Sequence, residues 1–89
     1  MYKLEYTETF ERDISALDKQ IARRLVRKLE WLQQHPEVLK FPLKYLPSEL
    51  KNLHKYRLGD FRILLWVDHQ RKVLTLYSIE HRRSVYKDL

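Results

Sequence analysis

The sequence contains no cysteine, a single glycine and only three prolines. Without cysteine, neither a disulfide framework nor a thiolate zinc site can staple so short a chain, and apolar packing must hold it together. The scarcity of glycine and proline excludes low-complexity or collagen-like chain. No apolar run approaches the roughly 20 residues needed to cross a bilayer, and the opening Met1, Tyr2, Lys3, Leu4, Glu5 lacks the basic-then-apolar order of a secretory signal. The expected location is therefore cytoplasmic, without membrane contact. His35, His54 and His69 have no ligand spacing and read as a helix end, a strand position and a turn residue. The carboxylates are not paired for acid–base chemistry. Neither a metal nor another cofactor is expected.

What is present suits one folded domain spanning residues 1–89. Hydrophobic residues make up 44% of the chain, enough for a core and too many for a disordered segment. The net charge is +6, and it is unevenly spread. Residues 51–89 carry nine Lys or Arg against four Asp or Glu, whereas residues 1–50 carry nine against eight. A cationic C-terminal part points to a nucleic acid or an acidic protein partner.

Local patterns define the elements. Tyr2, Leu4 and Tyr6 alternate with Lys3 and Glu5, the period of a half-buried strand. Thr7 or Thr9 is placed to cap a first helix reaching about Leu17, with Phe10, Ile14 and Leu17 on its apolar face and Glu8, Glu11 and Asp13 near its positive end. Asp18 caps a second helix, where Ile21, Leu25, Leu29 and Leu32 form a stripe widened by Ala22 and Val26. Arg23, Arg24, Arg27 and Lys28 take the other side. Pro36 ends that helix near His35. An irregular connection follows to Asn52, with a short helical turn at Ser48 to Leu50, and buries Phe41, Leu43, Leu46 or Leu50. From Leu53 the period becomes two. Leu53 to Leu58, Phe61 to Val67 and Lys72 to Ile79 predict a three-stranded antiparallel meander with turns at Gly59-Asp60 and Asp68 to Arg71. His81 to Lys87 reads as a short C-terminal helix or a tail. The fold class is α+β: a strand, two helices and a meander, in one sheet with the helices on one face.

A two-residue turn at Gly59-Asp60 sets Leu58 opposite Phe61, Arg57 opposite Arg62, Tyr56 opposite Ile63 and Lys55 opposite Leu64. Tyr56, Leu58, Phe61, Ile63, Leu65 and Val67 then form the face for the helices to cover. Lys55, Arg57, Arg62, Leu64 and Trp66 form the other. Continued across the next turn, the same reasoning pairs Val67 with Lys72 and Arg62 with Tyr77. Opposed arginines repel and destabilise a ladder, unless an anion lies between them and each fork grips a phosphate. The alternative is a plain solvated face whose long cationic stems cover Leu64 and Trp66.

The stretch HKYRLGDFRILLWVD, followed by IEHRRSVY, resembles the signature of RelE/ParE-type toxins of bacterial and archaeal toxin–antitoxin pairs, and the resemblance covers nearly the whole chain. It implies a RelE-like mRNA endonuclease that acts on the ribosome without a metal, through attack of a ribose 2′-hydroxyl on the adjacent phosphate. That chemistry needs a proton acceptor, a proton donor and cations for the developing charge. By position the resemblance assigns Lys55, Arg57 and Arg62 to the phosphate, and Tyr86 to stacking on a base. His81 and Arg82 fall where the family carries its acid or base, and Arg83 extends the cationic run. Histidine is the better proton carrier of these near pH 7. Arg57 replaces a lysine, and the His-Arg-Arg run aligns with RelE only after a shift of about a residue. Which of His81, Arg82 and Arg83 points inward is thus open.

The same resemblance admits a ParE-like inhibitor that binds DNA gyrase without hydrolytic groups, or a non-catalytic RNA-binding module. It also implies a small acidic antitoxin, in a hetero-oligomeric complex, that neutralises the cationic face, besides the ribosome and mRNA as targets.

Overall fold

A computed structural model describes residues 1–81 of the chain. Strand β1 (Lys3–Tyr6) leads into helix α1 (Glu8–Ser15) and helix α2 (Lys19–Gln34), followed by strands β2 (His54–Leu58), β3 (Phe61–Asp68) and β4 (Val73–His81). The sheet order is β1-β4-β3-β2, with β1 parallel to β4 and the other neighbours antiparallel. Of the expected C-terminal helix or tail, His81 is the last residue of β4, and the rest lies outside the described residues.

Each helix begins at a side-chain cap. Thr7 accepts a hydrogen bond from the Phe10 amide at 3.1 Å, and Asp18 accepts one from the Gln20 amide at 3.2 Å, satisfying amides that a helix start leaves without partners. Helix α2 stops at His35, immediately before Pro36. The 3-10 turn Pro36–Val38 follows it, and a second 3-10 turn forms at Ser48–Leu50, where a helical turn was expected.

The core is one cluster in which Phe10 of α1 and Leu25, Leu29 and Leu32 of α2 meet Ile63, Leu65, Leu74 and Leu76 of the sheet. Leu39 joins it from the connection. Two details differ from expectation. Val26 is exposed, because the apolar stripe of α2 is narrower than drawn. Phe41 stands 85% exposed, and the connection buries Leu39, near the end of α2, and Leu53, next to β2, instead.

The β2–β3 register is the expected one: Lys55 faces Leu64, Tyr56 faces Ile63, Arg57 faces Arg62 and Leu58 faces Phe61. Gly59 holds φ +59°, the left-handed conformation a tight hairpin turn requires. The β3–β4 register differs. Val67 faces Leu74, not Lys72, and Arg62 faces Glu80, not Tyr77. Two causes combine. The turn lies one residue later than expected, at residues 69–72: the Asp68 carboxylate accepts from the Gln70 and Arg71 amides, both at 3.0 Å, and Lys72 adopts φ 57°. In addition, the register shifts between Leu64 and Leu65, leaving Tyr77 unpaired as a β-bulge.

The bulge resolves a conflict in the sequence. Strict alternation from Leu74 and Leu76 would turn Ser78 and Glu80 into the core. The extra residue puts Ile79 there instead, opposite Ile63. Helix α1 and its capping residue satisfy the backbone that the bulge leaves over: the Thr7 hydroxyl donates to the Tyr77 carbonyl at 2.7 Å, and the Ile79 amide donates to the Asp13 carboxylate at 2.9 Å.

Candidate nucleic-acid interface

The helices cover one face of the sheet, so the alternate residues of the hairpin lie on the other. Ile63 and Leu65 are fully buried against α1 and α2. Arg62, Leu64 and Trp66 of the same strand therefore turn away from the helices, together with Lys55 and Arg57 of β2.

On this open face the residues stand in rows across the strands. Arg57, Arg62 and Glu80 form the row nearest the Gly59-Asp60 turn. Lys55, Leu64 and Ser78 form the next. Beyond them Trp66 lies opposite Thr75 and meets Tyr77 edge to face, ring centroids 5.2 Å apart. The indole of Trp66 is fixed by a 3.0 Å hydrogen bond to the Lys51 carbonyl. A cationic band thus borders an aromatic pair on one surface.

Directly opposed residues of an antiparallel pair have Cα atoms roughly 4.5–5.5 Å apart, so the stems of Arg57 and Arg62 start close together. Arg57 and Lys55 are exposed and Arg62 is half-buried. Among the described residues none of the three takes part in an ion pair within 4 Å, although Glu80 is registered beside Arg62. Five guanidinium donors in a planar fork match phosphate oxygens, and two forks side by side make a site for a doubly contacted phosphate.

His81, expected near these arginines, projects to the other face. It is registered opposite Phe61, and the two rings meet edge to face with centroids 4.9 Å apart. With Ile21, Arg24 and Leu25 of α2, this pair lines a cleft of about 330 Å³ on the helix side. Arg82, Arg83 and Tyr86 lie outside the described residues. The structure therefore joins Arg57, Arg62 and Lys55 on one surface and separates His81 from them.

Glu80 went unnoticed in the sequence. The signal for it was the spacing of Leu74, Leu76 and Ile79, which breaks the period of two at the bulge and puts the residue after Ile79 on the open face.

An open four-stranded sheet of order β1-β4-β3-β2, two helices on one face and a cationic hairpin on the other define the RelE/ParE class of toxin scaffold. Residues 4–86 match the model of the ParE toxin of type II toxin–antitoxin systems, parDE, and the chain belongs to that family. It is the toxin component of such a system. Solved structures share the fold. The toxin–antitoxin complex RelBE2 from Mycobacterium tuberculosis matches with a TM-score of 0.78 and 26% identity, covering 91% of this chain and 98% of that one. The archaeal RelE–RelB complex from Pyrococcus horikoshii matches at 0.73 and 21%, covering 91% and 94%. The isolated RelE toxin of E. coli matches at 0.72 and 18% over the whole of both chains. No curated protein matches in sequence. Among the described residues, no helix is long and apolar enough to cross a membrane.

Proposed function

We propose that the protein is a RelE-like endoribonuclease toxin that cuts mRNA on the ribosome, in the cytoplasm, and is held inactive by a cognate acidic antitoxin. The observation that carries this reading is the Arg57–Arg62 pair on the face of the sheet turned away from both helices. Within a ladder the pair is unfavourable in itself, and an RNA phosphate between the two guanidinium groups reverses the sign of that interaction. Arg62, flanked by Lys55 and Arg57, holds the scissile phosphate and offsets the charge that builds on it as the 2′-hydroxyl attacks.

Proton acceptance from the 2′-hydroxyl is assigned to Glu80, the carboxylate registered beside Arg62 on the same face. A general base must come within hydrogen-bond reach of the proton it takes, and His81, on the helix side, is displaced from that position. The roles of Arg82 or Arg83 as donor to the leaving oxygen, and of Tyr86 as base platform, rest on the family resemblance alone. The antitoxin is inferred from the charge of the open face, and is supported by relatives whose structures are toxin–antitoxin complexes. An acidic segment seated on the arginines would exclude RNA.

Primer-extension mapping of transcripts after induction of the toxin tests the reading. New ends within translated codons, lost in Arg62→Ala, are expected. Intact messages together with an induced DNA-damage response would instead assign a gyrase target.

A further inference from the structure

The connection between α2 and β2 exposes two large aromatic side chains, Phe41 at 85% and Tyr45 at 101%. Tyr45 also holds φ 62°, in the left-handed region that bulky residues seldom adopt. Such strain persists only where the surrounding structure imposes it. Here the surroundings do: the Leu43 amide donates to the Leu53 carbonyl at 2.8 Å, and the Leu53 amide to the Leu50 carbonyl at 3.2 Å. Trp66 ties Lys51 to the open face. A fixed backbone thus holds the tyrosine ring out in water.

Beside that ring lies a cleft of about 410 Å³. Lys44, Lys51 and Asn52, the last at φ 68°, are among its lining residues. The Ser48 hydroxyl, also at the rim, is turned to the Glu49 carboxylate at 3.4 Å. The base-edge contact therefore falls to Asn52. An aromatic plane, a carboxamide with paired donor and acceptor, and two flanking cations are what a nucleobase and its phosphates require.

We propose that this cleft is a second nucleotide subsite, outside the arginine pair, which takes one base of a single-stranded RNA stacked on Tyr45, with Lys44 and Lys51 on the neighbouring phosphates. The proposal rests on the RNA-cleaving reading above. The path is short: from Leu53, which anchors the loop, to Arg57 is four strand residues, or about 13 Å. It runs past Lys55 and Trp66 on the same face. One extended strand of RNA reaches both sites, and the loop selects single-stranded message by stacking rather than by duplex shape.

The test is fluorescence anisotropy of the intact toxin with a labelled single-stranded RNA of about 12 nucleotides, within the site sizes of single-strand grooves, methylated on its 2′-oxygens so that it is not cut. Tyr45→Ala is expected to weaken binding by about 5- to 150-fold, the range that loss of one stacked base produces, and Tyr45→Phe to preserve it. Tyr45→Asn, which tolerates the left-handed backbone, guards against a folding artefact and is expected to bind as weakly as Tyr45→Ala. Wild-type affinity in Tyr45→Ala and Tyr45→Asn, with loss in Arg62→Ala, overturns the subsite and leaves the proposed function standing. Wild-type affinity in all of these variants overturns both.

Discussion

Phe61 and His81 meet edge to face across β3 and β4, and their pairing dictates which way the next two residues point. Because Phe61 and His81 turn toward α2, Arg62 and Glu80 turn away together, onto the open face. The two acid–base candidates at the end of β4 therefore make opposite predictions. His81→Ala removes an aromatic pair worth about 0.5–1.5 kcal/mol and should lower the melting temperature while leaving cleavage largely intact. Glu80→Gln should leave the fold unchanged and reduce cleavage by roughly 10²- to 10⁴-fold, the usual worth of a positioned general base. Cleavage of mRNA in a reconstituted translation reaction, measured beside a thermal melt, separates the two.

The second prediction concerns the bulge. Asp13 of α1 is the partner of the Ile79 amide, 66 residues away in sequence. Asp13→Ala strands that part-buried amide and should cost about 1–3 kcal/mol by urea unfolding. Asp13→Asn keeps an acceptor oxygen and should cost clearly less. Equal losses in the two variants would mean that the carboxylate charge, not the hydrogen bond, is what matters.

Gly59 tests the hairpin. A Cβ added there meets no atom within 4 Å, so only the φ of +59° opposes a side chain. Gly59→Ala should therefore destabilise by about 1 kcal/mol, and Gly59→Asn by less, since asparagine visits the left-handed region more readily. Chemical denaturation of the three proteins measures the difference.

Stability should also depend on pH through His54, which is 9% exposed at the start of β2. Burial first, and the nearby His69 second, hold its imidazole below the ordinary value of 6.5. The unfolded chain then binds a proton that the folded protein refuses, so stability rises with pH across that interval. The contribution is fully present above 6.5 and is lost as pH falls through the folded value. Melting temperatures taken from about pH 7.5 to about pH 5 should decline for the wild type and decline less for His54→Gln.

Much of this architecture was legible from local chemistry. Asp18 announced the start of α2, the choice of Thr7 or Thr9 that of α1, Pro36 the end of α2, and Gly59-Asp60 both the hairpin and its register. What escaped depends on distant partners. The parallel pairing of β1 with β4 leaves no mark within either segment. The β3–β4 register turns on hydrogen bonds of the Asp68 side chain and on a bulge stabilised by Thr7 and Asp13 of another element. That register decided the site: an error there put Tyr77 beside Arg62 and left Glu80 out. Phe41 and Tyr45 were equally hidden, since hydrophobicity alone argues for burial.

The most direct test of the arginine pair is the salt dependence of RNA affinity. Each phosphate contact to a single strand contributes about 0.7 to the slope of log affinity against log salt. The two arginines share one phosphate, so we predict that the Arg57→Ala, Arg62→Ala double variant flattens the slope by about that amount and each single variant by no more than that, with no loss of thermal stability in the absence of RNA. Slopes equal to the wild type, in variants that melt at lower temperature, would contradict the account and make the pair a structural feature of the hairpin.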